Sequence, residues 1–133
     1  MEPALAIFGK LIGLCFSATI APGAEDRHCF RELYDSAHVR DVHVVLIDNV
    51  SVYEGETTYS QTPDGVEFTY LNSTGGAGHG TVRIEGDVLT FDMNMRADPA
   101  SPPLPIHTVW RLRDDGYDVE THGKPTIHFV LKR

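Results

Sequence analysis

Several things are scarce in this chain, and each scarcity excludes something. Two cysteines in 133 residues cannot build a disulfide-dense scaffold. No run of about 18 or more clean apolar residues occurs, which excludes an ordinary helical membrane span. Basic residues are few: 11 Lys and Arg against 19 Asp and Glu leave a formal net charge of −8. That balance does not supply the phosphate contacts of nucleic-acid binding, so no nucleic-acid partner is expected. Familiar catalytic and metal signatures are also missing. There is no G-x-S-x-G, no H-E-x-x-H, no C-x-x-C and no histidine pair one helical turn apart. No catalytic residue, metal ligand or cofactor is therefore assigned from sequence. A hydrolase built from His107 and a distant aspartate stays open, because triads assemble across strands.

What remains is the composition of a globular domain, with 41% apolar and 23% charged residues. The length fits one domain, able to bury about two-thirds of its surface. Twelve glycines and eight prolines imply many turns.

Residues 1 to 24, MEPALAIFGKLIGLCFSATIAPGA, have the order of a secretory signal peptide. Lys10 precedes an apolar stretch from Leu11 to Ile20, and Pro22-Gly23-Ala24 offers a small-residue exit. The expectation is a cleaved leader, a secreted or periplasmic protein, no membrane span after cleavage, and a single β domain over residues 25 to 133. Cleavage would leave Cys29 as a lone thiol; retention would make a Cys15–Cys29 bridge possible.

From Glu25 to Ala37 the residues Phe30, Leu33, Tyr34 and Ala37 fall at helical spacing and predict a short N-terminal helix. Everything after it reads as strands. Val42 to Ile47 is a valine-rich run, and Val50 to Tyr53 continues after a kink at Asp48-Asn49. Thr57 to Gln61 enters the turn Thr62-Pro63-Asp64-Gly65, and Val66, Phe68 and Tyr70 alternate out of it. Val82 and Ile84 lead through Gly86-Asp87 to Leu89, Phe91, Met93 and Met95, the cleanest period-2 pattern in the chain. Residues 98 to 105 hold four prolines and read as an extended loop. Trp110 and Leu112, then Tyr117 and Val119, then Ile127, Phe129 and Leu131 mark the last strands. The fold class is mainly β: an antiparallel up-and-down meander of seven or eight strands, closed or half-open as a small barrel, with one short N-terminal helix.

The segments EGETTYSQTPDGVEFTY, GTVRIEGDVLTFDM and TVWRLRDDGYDVET resemble the hairpins of small secreted bacterial proteins with a lipocalin-like β-barrel. The likeness spans residues 52 to 133 and lies in the hairpin rhythm. The glycine–tryptophan signature of lipocalins is absent; Tyr53-Glu54-Gly55-Glu56 stands near its place. The resemblance implies a barrel that carries a ligand.

Phe68, Tyr70, Phe91, Met93, Met95 and Trp110 are the candidate ligand-binding residues, being large, apolar and on the dry faces of adjacent hairpins. The small-molecule ligand would be apolar or amphipathic. As a core, the same residues would merely fill the interior. An alternative is an exported interaction or inhibitor protein. It would meet a protein partner, favourably a basic one, through the Gly-rich loop 72–80 and the Pro-rich loop 98–105. A second alternative is a Cu(I) or other metal carrier using Met93, Met95 and a histidine. His28, Cys29 and Glu32 would share one turn of the predicted helix and offer a weaker metal set, and His79 lies in the Gly-rich loop where it would touch a ligand.

Overall fold

The computed structural model describes residues 3–132. Ten antiparallel strands close into a barrel in sequential order: β1 (Cys15–Ala21), β2 (Ala24–Leu33), β3 (His38–Ile47), β4 (Val50–Thr62), β5 (Gly65–Asn72), β6 (Ala77–Glu85), β7 (Val88–Arg96), β8 (Leu104–Arg113), β9 (Gly116–Thr121) and β10 (Ile127–Leu131). β1 pairs with both β2 and β10, so the sheet has no free edge.

The barrel and the meander are as the hairpin rhythm predicts; the count is ten strands rather than seven or eight. The two extra strands come from the first third of the chain. The predicted helix at 25 to 37 is instead β2, followed by a turn in which Tyr34, Asp35 and Ser36 all have positive φ. Tyr34, one of the four residues that suggested helical spacing, is 81% exposed. Asp26, His28 and Phe30 alternate inward, a period of two that hydropathy does not register because two of the three are polar. The kink at Asp48-Asn49 is the β3–β4 turn; both residues have positive φ, as a two-residue hairpin of the favoured twist requires. The glycine-rich segment is only partly loop, because β6 already starts at Ala77. The proline loop likewise ends early, since β8 begins at Leu104 and includes Pro105.

The short helix lies elsewhere. Pro3–Lys10 forms a 3-10 helix whose Leu5 and Phe8 are fully buried. The Phe8 ring packs 4.5 Å from that of Tyr59, and Lys10 pairs with Asp87 in the β6–β7 turn at 2.7 Å. The helix thus stops the end of the barrel where the β2–β3, β4–β5, β6–β7 and β8–β9 turns gather. Val39, Tyr59, Val66, Val82, Leu89 and Leu112 fill that half. The other end carries the 97–103 and 73–76 segments, which touch: Thr74 Oγ1 donates to the Ala97 carbonyl at 2.6 Å.

Residues 3 to 24 therefore supply the stopper, β1 and one half of the Cys15–Cys29 disulfide, which joins directly opposed residues of β1 and β2. Cleavage after Ala24 would remove all three and leave β2 and β10 as open edges. Chemical denaturation of residues 25 to 133 alone, beside the full chain, should show cooperative unfolding only in the full chain. In the full chain Phe8→Ala should cost about 3–5 kcal/mol, as for a fully buried ring.

Candidate functional site

The half of the barrel away from the stopper is not filled. A cavity of about 270 Å³ lies there, walled by side chains from β2 to β5 and from β7 to β10. Its polar wall is built by two tripeptides of one form, Asp26-Arg27-His28 on β2 and Asp41-Val42-His43 on β3. In each, the aspartate and the histidine point inward and the residue between points out, as strand alternation requires.

The pairing of β2 with β3 decides what these residues meet. His28 lies directly opposite His43, and the two rings stack with centroids 4.6 Å apart and planes 20° from parallel. Asp41 lies opposite Phe30 and Asp26 opposite Val45, so each aspartate is diagonal to the other strand's histidine. His28 Nδ1 donates to the Asp41 carboxylate, with both oxygens at 2.9 Å. His43 Nδ1 lies 3.2 Å from Asp26 Oδ1, and His28 Nε2 lies 3.3 Å from Asp26 Oδ2. Asp26 thus bridges the two rings.

β4 and β5 extend the network. Gly55 stands opposite His43, and a Cβ there would collide with the imidazole and with the Tyr70 hydroxyl. The absent side chain lets Tyr70 reach across β4 to His43 Nε2 at 3.3 Å, and Tyr53 meets Tyr70 hydroxyl to hydroxyl at 2.5 Å. One directional chain satisfies these contacts: Tyr53 donates to Tyr70, Tyr70 to His43, and both histidines to carboxylates.

Burial opposes a charge on His28, but the Asp41 carboxylate and the hydrogen bonds to Asp26 and Asp41 outweigh it and raise its pKa to about 10. Burial likewise disfavours an ionised Asp26, yet hydrogen bonds from His28 and His43 hold its carboxyl well below the usual range. Burial first, then the Tyr53 hydroxyl, pushes the Tyr70 phenol far above its ordinary value. Among the described residues, no lysine or arginine lines the cavity. The charge that balances these carboxylates must come from imidazolium or from a bound cation.

Opposite and beside this wall the cavity is apolar. Phe68, Tyr70, Phe91, Met93, Met95 and Trp110, the sequence candidates, all lie along it. Phe68, Phe91 and Trp110 are buried, and Met93 and Met95 are partly buried towards the open end. On β6, Gly78 pairs with Tyr70 and Gly80 with Phe68, and a side chain at Gly80 would collide with the Asp92 carbonyl of β7. Trp110, Tyr117 and Phe129 stack in a row across β8, β9 and β10, at 4.7 and 5.0 Å, and Phe129 meets His28 edge-on at 5.0 Å. The Tyr117 hydroxyl, on this row, is buried and has no hydrogen-bond partner among the described residues.

Other sequence candidates lie elsewhere. His28, Cys29 and Glu32 do not form a set, because the segment is a strand: His28 points inward, Cys29 is bound to Cys15, and Glu32 is exposed and accepts from Ser36. His79 is exposed on β6. His107 and His128 form cross-strand pairs with Asp92 and Asp118 on the exposed outer face. Sequence reading missed Asp26, Asp41, His43 and Tyr53. The available signal was the repeated D-x-H, fifteen residues apart, on a segment read as helix followed by a segment read as an apolar strand.

No protein-family model matches the chain, and no curated protein is significantly similar to it.

The folded state holds the His28 proton more tightly than the unfolded chain, whose histidine has its ordinary value of 6.5. Its contribution to stability is complete below about pH 6.5 and is lost as pH rises through 10. Asp26 contributes with the opposite sign: fully present above 3.8, lost as pH falls further. Stability measured by urea unfolding in a chelator should therefore decline between neutral and strongly alkaline pH. Asp41→Asn should flatten that decline and lower the His28 pKa read from imidazole nitrogen shifts.

Proposed function

We propose that the protein is a small-molecule-binding barrel whose cavity takes a compact amphipathic ligand. Its apolar or aromatic body would lie against Phe68, Phe91, Met93, Met95 and Trp110, with a polar head at the Asp26, His43 and Tyr70 wall. The observation that carries this reading is the cavity of about 270 Å³ left among large aromatic side chains and buried polar groups in the half away from the stopper. Interiors normally pack to crystal-like density. A cavity of roughly 150 Å³ already takes benzene, and ligand pockets run from about 300 Å³ upward, so one or two rings fit. Apolar walls with a few convergent polar groups are the usual make-up of such sites.

An exported location fits the same reading, because a cross-strand disulfide persists in oxidising compartments and not in a reducing cytosol. The touching loops at the open end would then flank the ligand's entrance.

Trp110 reports on the cavity directly, since it lines it. Titration with an uncharged naphthylamine probe should quench Trp110 fluorescence saturably at one probe per chain. Thr108→Phe, which places a ring in the cavity, should weaken that binding at least tenfold without lowering the melting temperature. Quenching that is unsaturable, or unchanged in Thr108→Phe, would overturn the reading and favour docking through the loops.

A further inference from the structure

We propose that Asp26, His28 and His43 form a binding site for a divalent first-row transition metal ion of the kind Zn²⁺ represents, with Asp41 and Tyr70 as its supporting shell. The site shares the cavity described above but does not depend on an organic ligand being bound there.

The donor set is two imidazole nitrogens and one carboxylate. Their ligating atoms all lie within 4.8 Å of one another, the only such cluster of three or more among the described residues. The spacing matters more than the grouping. Charge-assisted N–H···O bonds run about 2.7–2.9 Å. The Asp41 contact to His28 obeys this, at 2.9 Å. The two Asp26 contacts are longer, at 3.2 and 3.3 Å. Ligands held at about 2.0–2.1 Å around a tetrahedral ion stand roughly 3.3 Å apart. Each Asp26 oxygen, Oδ1 towards His43 Nδ1 and Oδ2 towards His28 Nε2, therefore stands from its ring nitrogen at about the edge length of a coordination polyhedron.

The remaining ring nitrogens are supported as metal-bound histidines require. A ligating histidine normally gives its other N–H to a carboxylate, a carbonyl or another acceptor, which fixes the tautomer and the ring orientation. His28 would coordinate through Nε2 and keep Nδ1–H on Asp41. His43 would coordinate through Nδ1 and give Nε2–H to the Tyr70 oxygen, while Tyr70 turns its own proton to Tyr53. The tyrosine pair can run in either direction, so the metal-bound arrangement leaves none of these groups unpaired.

Charge points the same way. Asp41 is almost wholly buried, Asp26 is mostly buried, and no lysine or arginine among the described residues lines the cavity. One divalent ion with two neutral imidazoles neutralises two carboxylates. Three protein ligands also leave a fourth position, which in zinc sites that act on small molecules is the open one. All three ligands line the cavity, so the fourth would be filled from it.

Cobalt(II) is the probe, because its visible absorption reports coordination number. The full chain, stripped with a chelator and titrated with Co²⁺, should take up one equivalent and show the intense visible bands of a four- or five-coordinate ion. Zn²⁺ should bleach them. His43→Gln and Asp26→Asn should abolish the bands, and Asp41→Asn should weaken binding about 10–100-fold, as loss of a supporting carboxylate does. The wild-type protein gives a test that needs no variant. In Co²⁺-loaded protein, the strongly shifted exchangeable ring protons should be His28 Nδ1–H and His43 Nε2–H. Absence of stoichiometric uptake would overturn the proposal, as would shifted protons on His107 or His128, or bands that persist in a folded His43→Gln variant. Naphthylamine binding in the presence of chelator reads the organic cavity by itself, so either reading can fail alone.

Discussion

The inward positions of the β2–β3 ladder are the constraint on which the rest of the interior depends. Side chains alternate across a strand, so a slip of one residue would carry a whole set of them to the other face. Two aspartates and two histidines sit on those inward positions, where a slip would separate every partner. The pairing observed sets His28 against His43 and each aspartate diagonal to a histidine, and it gives the buried Asp41 its partner in His28. The ladder is held at both margins. The left-handed residues Tyr34 to Ser36 fix the turn at one end, and the Cys15–Cys29 bond ties β2 to β1 on its other side.

From that ladder the interior divides into two zones of different chemistry. Towards the helix, branched and aromatic residues fill the interior, among them Val39, Tyr59, Val66, Val82, Leu89 and Leu112. Towards the other end, the polar wall takes the place of core side chains on β2 and β3, and small residues take their place elsewhere. Gly55 makes room for His43 and Tyr70 to meet, and Thr57, Thr108 and Thr121 line the cavity where larger residues would fill it. At Gly80 a side chain would run into the Asp92 carbonyl of β7, so this strand also draws close to its neighbour. The hollow is thus a product of specific small side chains set among large ones.

The hairpins from Val50 onward were legible because their inward residues are apolar and their outward residues polar, so hydropathy and geometry share a period. Val66, Phe68 and Tyr70, or Leu89 through Met95, give strand, face and cavity wall together. The same logic fails at Asp26 and His28, which point inward while being polar. There the alternation survives but its sign is lost, and the spacing of Phe30, Leu33 and Tyr34 reads as helix. β1 was hidden differently. Its Phe16, Ala18 and Ile20 sit in an apolar stretch of the length and order of an export signal, and the pattern of such a signal overlaps that of a buried strand. The D-x-H pair needs no hydropathy to be seen, only the assumption that both segments are strands.

The stopper helix has a kinetic meaning. With Leu5 and Phe8 closing one end, the barrel of the proposed reading would be a vessel rather than a tube, and a ligand would enter and leave by the other end. Entry and exit share one barrier, set by the side chains and loops at the mouth, so a change there alters how fast equilibrium is reached without altering where it lies. A second molecule lodged at the mouth would seal in the first, and retention would then outlast what the contacts in the cavity alone would give.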